Sequence, residues 1–428
     1  MNSTSRRDFV RLLGLSTIAA GTPAIARAQT APRVVVVGSG FSGATVAKYL
    51  RMWSNTDVTL VNSGSSHVSC ILSNEVVTGK RTLSSISFPL SVLKQKYGIK
   101  TISATVSAID RDARKVYLKN GTILPYDRLV LAPGISFNKP NNYNMELVPH
   151  AWIAGSQTTL LQKQLAAMPS NGVFVEAIPK APYRCPPGPY ERACVVADYL
   201  KTRAGGGPLP RVILLDANPK IMAEANTFTY AFNVIHKGVI EYYPSTNGAD
   251  YSVTHVNAKA KTVETPSGVF TGDVVNVIPP HRAASIVIDS GLTGAGDWAP
   301  VSALTYVSAF DPYIHVTGDS QTCGAQPKSG HAANSQAKYC ADAIIRLFAD
   351  QDVENDMDRA AHVVTNSACF SPITSKTAGW LTAAFRYDKA DGLMKLDTNA
   401  FAEAPSINTD NYETMSAWAR NLFYDTFG

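Results

Sequence analysis

The stretch "RVVVVGSGFSGATVAKYL", Arg33 to Leu50, limits most tightly what this chain can become. Four consecutive valines make a strand that is apolar on both faces, and such a strand belongs in a parallel sheet covered by helices. Glycines follow at Gly38-x-Gly40-x-x-Gly43. Gly38 permits the tight turn, Gly40 lets backbone approach a pyrophosphate, and Gly43 lets the next helix pack on the strand. The helix N-terminus then faces the phosphates, with Ser39 and Phe41 in the same loop. The second strand, "DVTLVNSG", should end in an acid for the ribose hydroxyls; it ends in Asn62, whose amide oxygen accepts such a bond without charge.

Two later stretches select the dinucleotide. "YDRLVLAPGI" reads as a strand with a small-residue turn at Ala132 and Gly134, and "YIHVTGDS" as a strand ending in Gly318-Asp319. Asp319 is expected to accept hydrogen bonds from the ribityl side of FAD. The helix after it, opening at Lys328-Ser329-Gly330, would aim its N-terminus at the pyrimidine edge of the flavin, where the dipole stabilises negative charge. Val106 is assigned to the same site.

A second unit of this kind is expected over residues 142–282, with strands "GVFVEAI", "RVILLDAN" (ending in Asp216) and "DVVNVIPP". Its strand-to-helix turn is not glycine-rich. It reads "APYRCPPGPYERA", and Pro186, Pro187 and Pro189 lack the N–H groups a phosphate needs. The turn predicts a scaffold without an NAD(P)H cradle, stiff enough to present Cys185 towards the flavin. Arg184, if its side chain faces inward, would lower the Cys185 thiol pKa.

The N-terminus reads as an export signal. Twin arginines (Arg6, Arg7), a short apolar region and Ala26-Arg27-Ala28 occur in the order of a twin-arginine signal peptide, which places the protein in the periplasm. Residues 1–28 carry four arginines and one aspartate, so the net charge falls from +6 to +3 without them. That balance gives no argument for nucleic acid. There is no zinc-type Cys/His spacing, hence no metal site, no transmembrane segment of about 18 apolar residues, and no C-x-x-C-H haem attachment motif.

These stretches, with "CILSNEVVTG", "PHAWIAGSQTTLLQKQL", "NVIPPHRAASI", "PKSGHAANSQAK", "CFS" and the terminal "YDTFG", run nearly the whole chain in family order. They resemble the flavoprotein subunit of flavocytochrome c sulfide dehydrogenase, a relative of sulfide:quinone oxidoreductase among the two-dinucleotide-binding flavoproteins. The resemblance implies an α/β fold: two Rossmann-like, glutathione-reductase-like domains plus a smaller α+β C-terminal domain. The expected FAD domain is 29–141 with 283–358, the second Rossmann-like domain 142–282, and the C-terminal domain 359–428.

The resemblance also implies roles. Cys185 and Cys369 match two cysteines that form a redox-active disulfide over the flavin. Cys70 matches a cysteine that bonds the flavin 8α-methyl group, and Glu191 an acid beside the disulfide that accepts a proton. Sulfide would be oxidised to polysulfide or zero-valent sulfur, and electrons would pass singly to haem c on a cytochrome partner subunit in a heterodimer. Asn62 for the usual acid, and His331 where an aromatic is common, are departures. A sulfide:quinone oxidoreductase and a non-catalytic FAD-fold sulfur carrier stand as alternatives. Cys194, Cys323 and Cys340 read as structural, or the latter two as a second disulfide. His281 and His315, and Trp152, Trp298 and Trp380, read as packing residues. The C-terminal segment reads as a helix docked on the protein's own core.

Overall fold

The four-valine strand becomes β1 (Arg33–Val37), and Val34–Val37 are each at most 6 % exposed. It feeds helix α1 (Phe41–Trp53), then β2 (Asp57–Asn62), β3 (Lys100–Ser103) and β4 (Arg128–Leu131). The chain next builds β5 (Val173–Ile178), α2 (Gly188–Ala204), β6 (Arg211–Asp216), β7 (Ile240–Pro244) and β8 (Val274–Val277). It returns with β9 (Asp311–Val316) and α3 (Gly330–Phe348). It closes with β10 (Val364–Pro372), β11 (Ala378–Asp388), β12 (Leu393–Glu403) and α4 (Thr409–Phe427). This computed structural model describes residues 31–428; the export-signal reading falls on residues outside them.

Three sheets organise the fold. β9-β4-β1-β2-β3 run parallel, with the short Val307–Ser308 strand antiparallel on the β9 edge. β7-β6-β5-β8 form a second parallel sheet. β10-β11-β12 form an antiparallel sheet that, with α4, makes the α+β C-terminal part. Both parallel sheets put their switch from strand to helix at the carboxyl ends of β1 and β5, where α/β folds bind ligands. The fold is the mixed α/β, two-dinucleotide-binding flavoprotein architecture.

The C-terminal helix is tied to the first unit by packing and by charge. Phe427 is 4 % exposed and stacks on Phe88 (4.6 Å between ring centres), with Phe41 of the glycine loop 5.4 Å away. The Lys48 ammonium, on α1, donates to the carbonyls of Tyr424 (3.1 Å), Asp425 (2.9 Å) and Gly428 (3.2 Å). These are last-turn carbonyls, of which Tyr424 also accepts from the Gly428 N–H (2.9 Å), and a cation is well placed to satisfy them.

Two sequence expectations need correction here. Cys323 and Cys340 are not bonded to each other: both are free thiols. The Cys323 thiol donates to Gln326 Oε1 (3.4 Å), while Cys340 is fully buried on α3 in the main core. Val106 begins a strand of a separate three-stranded antiparallel sheet (Val106–Asp110, Lys115–Leu118, Ile123–Pro125) and packs against the core instead of lining the dinucleotide cleft.

Truncating Phe427 to alanine removes a ring from a closed aromatic cluster. Phe427→Ala is expected to lower unfolding stability by about 3–5 kcal/mol, and Phe427→Leu by about half that. Urea midpoints of the two variants check this; an alanine variant as stable as the parent would show that the cluster does not hold the helix.

Candidate active site

A cleft of about 370 Å³ opens at the carboxyl end of β1. Its walls include Gly38, Ser39, Gly40, Phe41, Asn62, Ala132, Gly134, Gly318, Asp319 and Gly330. Gly38 has φ +97, and a Cβ there would stand 2.3 Å from the Ala132 carbonyl oxygen. Gly43 does not line the cleft; a Cβ on it would stand 1.8 Å from the Gly38 carbonyl oxygen, so its bare backbone sets the packing of α1 on β1. Asn62 donates from Nδ2 to the Gly64 carbonyl (2.9 Å), leaving its amide oxygen for a ligand. Ser39 Oγ, His67 Nε2, Asp319 Oδ1 and Arg184 Nε are buried without partners, and all four residues line the cleft. Unpaired buried polar groups are costly, and this set of donors and acceptors around a glycine cradle fits a dinucleotide. Lys328 lies outside it: its ammonium donates to the carbonyls of Asp319 (3.0 Å) and Gln321 (2.7 Å) and fixes the loop that carries Asp319.

Next to the cleft lies a smaller space of about 70 Å³. Cys70, Cys185 and Cys369 all line it, with Glu191, Ser329, Gly330, Trp152 and Trp418. Cys70, Arg184 and Gly330 line both spaces. All six cysteines are free thiols, so Cys185 and Cys369 face one cavity without a bond between them. Cys185 takes a left-handed backbone (φ 58), a region that costs a non-glycine residue of order 1 kcal/mol. Three bonds hold it there: its N–H donates to the Lys328 carbonyl (2.7 Å), its carbonyl accepts from Gly188 N–H (2.9 Å), and Arg184 N–H next to it donates to His281 Nδ1 (2.8 Å). Gly188 must lack a side chain, because a Cβ would stand 2.8 Å from the Trp152 ring and 3.0 Å from the Cys185 sulfur. Cys369 comes from the middle of β10, paired with Leu381.

Burial governs the charges. It pushes the Cys185 thiol well above its ordinary range, helped by Cys369, Glu191 and Cys70. Arg184 lowers it, as the sequence suggested, but burial outweighs that pull. Its guanidinium is committed to the Trp152 carbonyl. Burial likewise pushes Cys369 up to about 12 and raises Cys70. Glu191, also buried, is pushed up to about 8 although Asn74 Nδ2 donates to it (2.8 Å). At neutral pH this constellation holds a protonated acid among protonated thiols.

Two residues that sequence reasoning passed over complete the site. Arg192 is 1 % exposed and donates to Asn74 Oδ1 (3.0 Å), Asn276 Oδ1 (2.9 Å) and the carbonyls of His150 (3.0 Å) and Ala151 (2.6 Å). Asn74 relays that grip to Glu191. Both sit inside the distinctive motifs "PYERA" and "CILSNEV", the one signal that could have found them. Trp152 does more than pack: it lines the cavity, donates from Nε1 to the Arg184 carbonyl (3.1 Å) and lies 4.9 Å from the Arg192 guanidinium. His281 and His315 are buried, and His315 sits between the Thr305 carbonyl (2.9 Å) and Arg128 (3.3 Å). Asp216, where a pyridine-nucleotide ribose acid would stand, is fully buried and accepts from Tyr190 (2.7 Å), Tyr242 (2.9 Å) and Asn218 N–H (2.9 Å).

Comparison with known proteins gives two domain matches. Residues 158–279 match the central domain of the sulfide dehydrogenase [flavocytochrome c] flavoprotein chain, and residues 32–167 match the pyridine nucleotide-disulphide oxidoreductase family. An NADH dehydrogenase-like protein of Mycobacterium tuberculosis (strain CDC 1551 / Oshkosh) is 30 % identical over 195 residues, 44 % of this chain and 48 % of the relative. A type II NADH:quinone oxidoreductase of Staphylococcus haemolyticus is 34 % identical over 110 residues, 25 % of this chain and 27 % of that one. The chain thus spans about half or less of the length of these curated relatives. Among solved structures, the sulfide:quinone oxidoreductase of Aquifex aeolicus has TM-score 0.74 at 18 % identity, covering 92 % of this chain and 91 % of that one. NDH2 of Plasmodium falciparum has TM-score 0.68 at 11 % identity, covering 92 % and 97 %. These last two are likenesses of fold.

Two measurements test the site's construction. Gly43→Val should abolish retention of a bound dinucleotide, because its Cβ meets the Gly38 carbonyl. Gly38→Val should do the same, since a Cβ there would stand 2.3 Å from the Ala132 carbonyl oxygen; absorbance of the desalted, intact protein reads both. Glu176, fully buried with both carboxyl oxygens unpartnered, is pushed by burial from 4.5 up to about 8. A raised folded-state value favours the fold below pH 4.5 and loses that contribution as pH rises towards 8. The parent should therefore be less stable at pH 8 than at pH 5, and Glu176→Gln should flatten the slope by up to about 1.4 kcal/mol per pH unit. An unchanged slope in urea titrations would contradict the neutral Glu176.

Proposed function

Given a flavocytochrome c sulfide dehydrogenase flavoprotein-like fold, we propose that this chain oxidises sulfide with FAD in the periplasm and passes electrons singly to a c-type cytochrome subunit. The observation that carries the reading is the meeting of Cys70, Cys185, Cys369 and Glu191 around one small cavity that adjoins the dinucleotide cleft. The cavity's 70 Å³ compares with about 10–15 Å³ for one water, a scale suited to hydrosulfide and short sulfur chains.

The residues divide the work by position. Gly38, Ser39 and Gly40 would hold the FAD pyrophosphate, Asn62 the ribose and Asp319 the ribityl side, with Cys70 bonding the ring at its 8α-methyl group. Bound FAD supplies an acceptor of an electron pair that is released one electron at a time. In the oxidised protein Cys185 and Cys369 share a disulfide, the natural electrophile for HS⁻. Attack forms a new S–S bond to one cysteine, a persulfide, and breaks the old one, releasing the other sulfur as thiolate. Burial makes that sulfur a poor leaving group, since leaving ability falls as thiol pKa rises. Glu191, which the resemblance casts as a proton acceptor, is pushed up by burial, so it first gives this sulfur a proton and can then accept one back. Asn74 and Arg192 hold Glu191 in that position.

With a c-type cytochrome present, the purified protein should reduce haem in a sulfide-dependent manner. Cys185→Ser and Cys369→Ser should each lower the rate at least about a hundredfold, the scale lost when an essential nucleophilic partner is removed. Acid-precipitated protein should keep its flavin, and Cys70→Ala should release it. Sulfide-dependent quinone reduction without haem reduction would make the chain a sulfide:quinone oxidoreductase. A flavin spectrum unmoved by anaerobic sulfide would make it a sulfur carrier.

A further inference from the structure

Oxidation of HS⁻ to zero-valent sulfur releases one proton for every two electrons. On the sulfide reading above, on which this inference rests, the electrons pass to the flavin and on to a haem. The proton stays behind in a buried cavity, where an uncompensated charge is costly. Something must carry it out.

Behind Cys369 the structure holds a second acid that the chemistry above does not use. Glu224 is fully buried. Its Oε1 accepts from Ser371 Oγ (2.7 Å), two residues along β10 from Cys369, and its Oε2 has no partner. Its backbone is left-handed (φ 51), a conformation that non-glycine residues hold at a cost and that recurs at functional sites. Gly379, paired with Ser371 in the sheet, lies against Thr227 and this carboxyl: a Cβ on it would stand 2.7 Å from the Thr227 methyl and 3.3 Å from Oε2. One strand further out lies Glu403, whose backbone partner Leu381 is also the partner of Cys369. Cross-strand partners point to one face of a sheet, so Cys369, Leu381 and Glu403 share a face. Glu403 is only partly buried, and its Oε2 too lacks a partner.

We propose that Glu224 exchanges protons with Cys369 and, with Glu403 beyond it, forms the route by which the proton of HS⁻ leaves the cavity for solvent. Glu224 acts through Cys369 and is a relay residue, not one that touches substrate. The groups whose charge it feels are Glu191 from α2 and Glu403 from β12, and in turn it raises Cys369 on β10 and Cys194 on α2. Burial pushes Glu224 up to about 8, so it can both take and release a proton near neutral pH.

The test uses the full-length protein, with and without its cytochrome. Glu224→Gln keeps an oxygen for Ser371 but cannot ionise. Removing a charge that raises Cys369 should speed iodoacetamide labelling of reduced Cys369 at pH 9 by about threefold, half a pKa unit, read by peptide mass spectrometry. Glu224→Asp should restore the parent profile. In sulfide turnover, Glu224→Gln should lower kcat about tenfold with KM unchanged and remove the inflection near pH 8, a loss typical of general acid–base groups. Glu403→Gln should cost less, about twofold, because water reaches that position. A Cys369 labelling profile identical in parent and Glu224→Gln overturns the proposal whatever the turnover. A shifted profile with kcat unchanged overturns the proton route. If the parent itself ignores sulfide while the labelling shifts, the coupling of Glu224 to Cys369 stands and the sulfide reading falls.

Discussion

One buried guanidinium holds the working parts of this protein in register. Arg192 is 1 % exposed, yet no carboxylate pairs with it at ion-pair distance among the described residues; its partners are two amides and two carbonyls. Those partners come from the short helix Ser73–Val77 beside Cys70, from the segment at His150 and Ala151, and from β8. A buried charge without a counter-ion persists only when its hydrogen bonds are nearly complete, and losing one partner costs several kcal/mol. The cavity wall is therefore a cooperative unit: Asn74, Glu191, Trp152 and the Cys185 turn stand or fall together.

That arrangement sets the chemistry by exclusion of water more than by charge. Arg184 sits beside Cys185 but burial outweighs it, and the two cavity thiols stay protonated. A site built this way holds its thiols and its acid in the uncharged form, so burial sets which groups carry protons. Glu191 on one side and Glu224 on the other are carboxyls shifted by the same desolvation to the same range.

The parts of this plan that follow local rules were legible in the chain. Gly38, with its positive φ, marks a turn that favours glycine, Gly43 marks a close approach of helix to strand, and the proline-laden turn after β5 announces the loss of a phosphate cradle. Features that depend on distant segments meeting were not. Nothing around Cys369 marks it as a partner for Cys185; strand register puts it there. Arg192 drew no notice in the sequence, because its burial comes only when the fold closes over it. The pull of Arg184 on the Cys185 thiol is present but outweighed, because a sequence shows which charges are neighbours but not how much water each loses. Val106 was assigned to the cofactor site, and the structure gives it to another sheet.

The stacking of Phe427 on Phe88 beside Phe41 has a meaning for assembly as well as stability. Residue 41 belongs to the loop that cradles a dinucleotide, and residue 427 lies nearly four hundred positions later. Contacts so far apart form last, because the chain must first meet the entropy of closing the intervening loop. Phe427 does not line the cleft, but it braces Phe41, which does. The last helix of the chain thus supports a wall built by the first, and loosening one end of the sequence would be felt at the other.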